Sequence, residues 1–517
     1  MRTETLPLDE TDCFSQFFID YINQKQELAP FYSAFPSVTN FKEVIEKKSF
    51  KDDHRQVLVK VLEEQYEELD ISDAVSGNIS SLADSKTFTI TTGHQLNIFT
   101  GPLYFIYKIV TVINTCKTLK QAYPDYSFVP VYWMASEDHD YDEINHFFFE
   151  GKKYVWDTDQ TGAVGHFDPS ALKDIVSKLP KGAEFFKDAY SQKTLAKAGR
   201  SYVNYLFGSE GLVVVDADNT DLKALFSPVI EDDLFVHSPE DLVAKTSASL
   251  ESQGYKTQVH ARQINFFYLD NGIRERIEKT DSGFEVVETN LTFSDYEMRK
   301  LIKDHPERFS PNVILRPLYQ ETILPNLAYI GGPSEAVYWL QLKAVFNHFD
   351  TSFPLLMPRN FALVIPSIAS TKWGKIGLSH QDVFLDNEAA FTKWIKSNSD
   401  HELSYSHELD ELKILETSLK QKTEVVDPTL TQHIEALYAT FTKRLEKAEK
   451  KLVRSEKRIH EDRKEQIDAV KEILFPGGSL QERKDNFLNF YLKDPHFIQN
   501  LLDTFDAFNY RMYLMFE

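Results

Sequence analysis

The sequence predicts an α/β protein: a doubly wound parallel sheet that carries small inserted subdomains and a long α-helical coiled-coil arm. Three observations lead there. Apolar strand-like runs alternate with helical periodicities, several of these runs end in polar or acidic groups, and apolar residues recur at steps of three and four from about 430 to 474.

Taken in chain order, residues 13 to 72 read as helices, with Phe17, Tyr21, Val57, Val61 and Leu62 at helical spacing. From Lys86 the pattern changes. KTFTITT alternates and is β-branched, Gly93 and Gly101 interrupt the chain, and PLYFIYKIVTVINTCKTLK continues as a helix expected to start at Thr100, Gly101 or Pro102. FVPVYWMA is almost wholly apolar, as a strand covered on both faces must be, and it ends in SEDHDYDEIN. GLVVVDAD again ends in acidic residues, and FPLLMP follows the helix SEAVYWLQLKAVFNHF. In such a sheet, ligands bind beyond the strand C-termini.

Asp270-Asn271-Gly272 between two strand-like runs is a hairpin signal. The expected segments are 1–85, helices packed on the core; 86–250, the first part of the core, with a small insertion near 150–205; 251–310, an inserted subdomain with the hairpin; 311–375, the second part of the core; 376–475, the helical arm; and 476–517, a segment returning to the core. In the arm, a helix from Thr429 to Leu474 would run ~69 Å. The run Leu403, Leu409, Leu412, Leu415, Leu419 folds back on it as the second arm of a hairpin, and Phe475-Pro476-Gly477-Gly478 ends it.

Composition narrows the function. With 517 residues the chain exceeds what one core serves, and 42% hydrophobic residues suffice to build several. A net charge of −22 argues against a nucleic-acid binder. Two cysteines, Cys13 and Cys116, are too few for a disulfide framework or a cysteine-based zinc site, and no HExxH or HxH spacing supports zinc. The acidic N-terminus and the lack of any run of ~20 apolar residues point to a cytoplasmic protein with no membrane partner.

Three loops offer chemistry. In TTGHQLNIFTGP, Gly93 and Gly101 let a ligand approach the backbone, the helix start attracts phosphate or carboxylate, His94 is a donor and Gln95 an orienting group. In SEDHDYDEIN, Glu137, Asp138, Asp140, Asp142 and Glu143 crowd a strand end, as general bases and Mg²⁺ sites require, with His139 as a proton carrier. An acidic, solvated helix start, with Asp142 and Glu143 its first members, is the alternative. In RPLYQETILPNLAYIGGPSE, Gly331 and Gly332 would expose N–H groups at a helix N-terminus, with Arg316, Tyr319 and Glu321 before it. The stretch 443–465, with ten Lys/Arg against six Asp/Glu, reads as a solvated coiled-coil face.

The blocks ITTGHQLNIFTGPLYFIYK, VPVYWMASEDHDYDEIN, GLVVVDAD, LRPLYQETILPNLAYIGGPSEAVYWLQL, PLLMPRN and FPGGSLQER resemble, in this order, those of the BshC family. That resemblance implies a Rossmann-like core related to class I aminoacyl-tRNA synthetases and pantothenate synthetase, with two inserted subdomains and a coiled-coil arm that forms a homodimer. It implies a ligase that joins the carboxyl group of cysteine to the amino group of glucosaminyl-malate, giving bacillithiol. It also implies that Thr92-Gly93-His94-Gln95, Glu137-Asp138-His139-Asp140 and Gly331-Gly332-Pro333 line the main cleft.

The sequence has neither an HxGH pair nor a KMSKS loop. Amide formation from a carboxylate needs an activated acyl group, and no Cys or Ser nucleophile motif is present to make an acyl-enzyme. ATP with Mg²⁺ is therefore the expected co-reactant, by way of an adenylate or an acyl phosphate, with Asp138 or Asp140 taking a proton from the amine. A nucleotidyltransferase of the same fold and a non-catalytic scaffold acting through the arm are the alternatives.

Overall fold

The structure, a computed structural model, describes residues 2–517. Its centre is a five-stranded sheet built from Thr87–Gln95, Ser127–Ala135, Val213–Asp216, Asn326–Gly331 and Leu355–Pro358. Every neighbouring pair is parallel. Numbered along the chain, the spatial order is fifth, fourth, first, second, third. The chain thus winds outward on one side and then returns to the other side of the first strand. The switch point lies between the first and fourth strands, where a crevice opens beyond their C-terminal ends.

These strands are buried almost throughout because helices cover both faces. The main cover is the helix Tyr104–Ala122, buried from Phe105 to Thr115. Its polar Asn114 is satisfied by the carbonyls of Leu502 (2.9 Å) and Phe505 (2.7 Å). The helix starts later than its sequence suggests. Ile98–Thr100 forms a 3₁₀ turn in which Phe99 (φ 52°) and Thr100 (φ 70°) are left-handed, followed by Gly101 (φ 64°). Asn486 holds this bend by donating to the carbonyls of Phe99 (2.7 Å) and Gly101 (2.6 Å).

An antiparallel sheet interrupts the core between its third and fourth strands. It runs Thr292–Phe293, Gly283–Val286, Ile273–Thr280, Phe266–Asp270, Phe309–Pro311, and Asn271-Gly272 turns its central hairpin. A smaller hairpin, His146–Phe149 with Lys152–Val155, follows the second core strand.

The sequence predicts only helices at the start of the chain, but Arg2–Pro7 is a strand. It pairs antiparallel with Arg511–Phe516, which pairs parallel with Phe361–Ile365. The segment RTETLP has no apolar face of its own; it becomes a strand because a partner from the far end of the sequence completes its ladder.

The arm is a helical hairpin of Ser406–Val426 and Thr431–Ile459, turned at Asp427, whose carboxylate accepts from the Thr429 amide at 2.9 Å. The continuous helix expected from Thr429 to Leu474 is broken at His460 (φ −113°, ψ 33°), and Glu461–Leu474 follows as a separate helix. The outer helix is therefore about 44 Å long rather than ~69 Å. The break has a packing cause. Ile467, Val470 and Leu474 are buried in the body of the protein, and the His460 ring stands 5.3 Å from Trp394, so the last turns follow that surface and not the rod. Ser406–Val426 buries no residue, and Ile414, Leu415, Leu437 and Phe441 stay exposed.

Candidate active site

A cavity of about 650 Å³ occupies the crevice at the switch point, a size suited to small-molecule substrates. Its floor is the end of the first core strand. Thr92 lies beneath it rather than in it: its hydroxyl donates to the Ile330 carbonyl at 2.7 Å and ties the first strand to the fourth. Gly93 lines the cavity, and a Cβ there would stand 3.3 Å from the Tyr329 hydroxyl and 3.6 Å from Arg316 Nη1, so glycine is what lets both come close. His94 lies between the rings of Tyr104 (5.3 Å) and Phe105 (5.2 Å). Burial, aided by the nearby Lys108 charge, pushes its imidazole down to about 3, and its buried Nε2 has no protein partner. It meets a ligand as a neutral imidazole. Gln95 Nε2 donates to Asp138 Oδ2 (3.0 Å) and Glu143 Oε2 (2.7 Å), linking the first strand end to the acidic segment.

The acidic segment is divided by its partners. Glu137 pairs with the fully buried Lys223, whose ammonium also donates to the Phe309 carbonyl at 2.6 Å. Burial outweighs that pairing and pushes Glu137 up to about 7. Asp138 goes the other way. Its burial is outweighed by the Gln95 hydrogen bond, by Arg274 at 3.8 Å and by the amides of Asp140 and His139, which hold it below the usual carboxylate range. Asp138 is thus a firmly ionised anchor and a poor base, contrary to the role its sequence position suggests. His139 Nδ1 accepts from Arg274 Nη1 at 2.5 Å, and burial with the Arg274 charge pushes its ring down, so it is neutral with its proton on Nε2. Asp140 and Glu143 line the cavity mouth, whereas Asp142 stands in the first turn of the short helix Tyr141–Ile144.

The opposite wall is cationic. Arg316 is boxed by Trp133, Tyr329 and Trp339, with its guanidinium 5.5 to 5.7 Å from their rings. Its Nη1 donates to Gln320 Oε1 at 3.1 Å, and its buried Nη2 has no protein partner. Arg359 is held in two bonds by Glu482 (2.9 and 2.5 Å) and lies over Tyr104, and Arg483 completes this side.

The glycine turn after the fourth strand does not expose its amides as expected. Glu335 Oε2 accepts from the Gly332 amide at 2.7 Å and from Lys108 Nζ at 2.6 Å, while the Tyr329 hydroxyl donates to its other oxygen at 2.8 Å. Burial alone would raise Glu335, but Lys108 and these bonds hold it down to about 2. Gly332 borders the cavity and Gly331 does not; the Gly331 carbonyl instead accepts from the Arg359 amide at 3.0 Å.

Two further expected residues lie outside. Gly101 supports the left-handed bend, where a Cβ would come within 2.5 Å of Asn97, and the helix start beyond it is covered, since the Leu103 amide donates to the Asp485 carbonyl at 2.8 Å. Tyr319 is buried and donates to the Ala217 carbonyl at 2.8 Å, anchoring the chain just after the third strand. Among the described residues, no group of three His, Cys, Asp or Glu side chains is placed to hold a metal ion, and no helix is long and apolar enough to cross a membrane.

The sequence reading missed Lys108, Arg274, Glu335, Arg359 and Arg483. Lys108 carried a signal, being the lone charge inside the apolar helical run YFIYKIVTV. Glu335 stands three residues after Gly332, where a helix-start carboxylate belongs. Arg274 carried none, because the inserted sheet delivers it.

Comparison with known families decides the ancestry of this arrangement. A family described as "Bacillithiol biosynthesis BshC, N-terminal Rossmann-like domain" matches residues 1–360, and "Bacillithiol biosynthesis BshC, C-terminal coiled-coil domain" matches residues 362–517. The chain belongs to the BshC family. It is 42% identical over 507 residues to a protein of Flavobacterium psychrophilum named "Putative cysteine ligase BshC", with 95% of each chain covered. Its similarity to proteins of the same name is 41% over 512 residues in Cytophaga hutchinsonii, covering 98% of both, and 32% over 500 residues in Chlorobaculum tepidum, covering 90% of this chain and 89% of that one. The boundary between the two BshC domains falls just before the strand Phe361–Ile365, so the C-terminal domain contributes two strands as well as the arm.

Proposed function

We propose that this protein is an ATP-dependent cysteine ligase, joining the carboxyl group of L-cysteine to the amino group of glucosaminyl-malate. The observation that carries the reading is a single cavity in which Glu137, a carboxylate poised at about 7, shares space with Arg316, a caged cation with a free Nη2. Amide formation needs both: a base for the attacking amine and fixed positive charge for a carboxylate or phosphate.

Glu137 takes the proton from the attacking nitrogen at its free carboxylate oxygen, while Lys223 holds the other oxygen and keeps the carboxylate oriented. Arg316 and Arg483 hold the carboxylates of the malyl group, in the way guanidinium groups bind such anions. His94 contributes a neutral ring nitrogen, able to donate or accept without adding charge. Asp138 and Gln95 position the acceptor through the ionised carboxylate and the amide.

A nucleotide's phosphates would lie toward the unpartnered His94 Nε2, leaving Arg316 Nη2 to the carboxylates of the acceptor. ATP would supply activation of the cysteine carboxylate there. Asp140 and Glu143 at the mouth are the carboxylates available to an accompanying Mg²⁺. The exposed apolar residues of the arm, Leu437 and Phe441 among them, support a homodimer.

The test is incubation of the pure protein with cysteine, glucosaminyl-malate and Mg-ATP, followed by mass spectrometry. The expected product is the cysteinyl amide together with a cleaved nucleotide. A nucleotide-linked product would show a nucleotidyltransferase instead, and unchanged reactants would sink the reading.

A further inference from the structure

Next to the cleft, a second cavity of about 380 Å³ opens beside the end of the third core strand. One wall is cationic. Arg200 lines it although only 5% exposed, and among the described residues no carboxylate oxygen approaches its guanidinium within the 4.0 Å of an ion pair. Its Nη2 donates to Gln65 Oε1 at 2.8 Å, its guanidinium stands 5.5 Å from the Tyr66 ring, and its Nε is buried without a partner. No carboxylate touches this guanidinium, although the Asp216 carboxyl is near enough to feel its charge, so its unpartnered Nε and the rest of the fork stay open to an anion.

The 13-residue helix Leu195–Phe207 starts on the same wall. The Thr194 hydroxyl accepts from the Lys197 amide (3.3 Å) and the Leu195 amide donates to the Phe167 carbonyl (2.8 Å). The amide of Ala196, which lines the cavity, has no protein partner among the described residues. Helix dipole and guanidinium together favour a carboxylate.

The other wall is anionic. Asp216 Oδ1 accepts from the Ser136 hydroxyl (2.5 Å) and the Asp218 amide (3.2 Å), and Asp218 Oδ2 pairs with His166 Nε2 at 2.7 Å. The second oxygen of each carboxylate has no protein partner among the described residues. The two walls meet at one atom: Gln65 Oε1 accepts both from Arg200 Nη2 (2.8 Å) and from the Asp216 amide (3.1 Å). Cationic and anionic walls so close together suit a ligand that carries its carboxylate and its ammonium on one carbon. At the rim Glu64 faces Lys60 (3.8 Å) and Glu68 faces Lys197 (2.7 Å), leaving Glu67 unpaired among the described residues, a balance that disfavours a simple dianion more than a zwitterion of no net charge.

We propose that this cavity is a second binding site, for a free α-amino acid bound as its zwitterion, with the carboxylate on Arg200 and the Ala196 amide and the ammonium on Asp216 and Asp218. The site abuts the cleft. Ser136 lines the cleft while its hydroxyl bonds Asp216, and its carbonyl accepts from the Gly165 amide at 2.8 Å. Occupancy here therefore bears on the segment that carries Glu137.

The experiment uses the full chain with Arg316→Gln, which removes the cation proposed to hold carboxylates in the cleft. The twenty L-amino acids are screened by thermal shift, and the strongest is measured, radiolabelled, by equilibrium dialysis. The expected result is saturable binding of one molecule per chain, at least tenfold weaker when Arg200→Gln or Asp218→Asn is added. The α-amide and the N-acetyl derivative of the same amino acid should not compete. No saturable binding, competition by acetate or phosphate at equal concentration, or binding indifferent to both substitutions would overturn the proposal. Far-UV circular dichroism checks each variant, and Asp218→Asn decides alone where Arg200→Gln fails to fold. Ligation is assayed separately on the unsubstituted protein, so loss of one reading leaves the other standing.

Discussion

Lys108 and Glu335 form an ion pair at 2.6 Å inside the protein, joining the helix that covers the sheet to the helix start beyond the fourth core strand. The lysine is 3% exposed, and its ammonium also donates to the Gly93 carbonyl at 2.9 Å. One pair thus fixes two of the three loops that shape the cleft.

Glu335→Gln leaves Lys108 as a buried, uncompensated cation and should cost about 3 kcal/mol. The pH dependence follows from the depressed carboxyl. Its folded value of about 2 lies below the ordinary 4.5, so its contribution is complete above 4.5 and is lost as pH falls toward 2. Urea unfolding between pH 2 and 7 should show the gap between native protein and variant closing over that interval. A constant gap would remove the pair from the account of acid stability.

Glu137→Gln should lower kcat/KM by about 10²- to 10⁴-fold, the usual contribution of a general base, with the circular dichroism spectrum unchanged. In the native enzyme the ionised carboxylate is the active form. Activity should therefore rise with pH through about 7 and level off above it. Asp138→Asn should leave that midpoint near 7, because Asp138 is already ionised throughout the range. A midpoint that moves with Asp138 instead would transfer the role of base to it.

Arg316→Lys should raise KM for the carboxylate-bearing acceptor about tenfold, equivalent to ~1.4 kcal/mol, and change kcat less. Lysine keeps the charge but loses the planar stacking against Trp133, Tyr329 and Trp339 and the second donor. Steady-state kinetics with the acceptor varied settle this, and an unchanged KM would place the carboxylates elsewhere.

The arm should hold a homodimer through its exposed apolar residues. Leu437 is 54% and Phe441 50% exposed in the single chain, on the helix that follows the exposed Leu430. Leu452 differs, being packed against the protein's own core. Leu437→Glu with Phe441→Glu should give folded monomers, as read by light scattering at micromolar concentration. A native protein that is itself monomeric would end the proposal.

The core strands were legible because a parallel strand covered on both faces must be an unbroken apolar run, and FVPVYWMA and GLVVVDAD are such runs. Arg2–Pro7 was not, since its strand character comes from a partner some five hundred residues away. The break at His460 lies in KRIHED, which contains neither glycine nor proline; packing on Trp394 places it. At the site, the strand-end residues Gly93, His94, Gln95, Glu137, Asp138, His139 and Asp140 could be read from position alone, and all line the cavity. Thr92, Gly101, Tyr319 and Gly331, expected with them, serve the backbone instead. Arg274 and Arg483 meet them only through tertiary folding.

The sheet that joins Arg2–Pro7, Arg511–Phe516 and Phe361–Ile365 has a temporal consequence. Its middle strand is Arg511–Phe516, which the ribosome makes after the other two. Until it emerges, two strand edges wait unpaired, the kind of surface on which nascent chains aggregate or are seized by chaperones. A chain stopped between residues 366 and 510 therefore carries both edges unpaired.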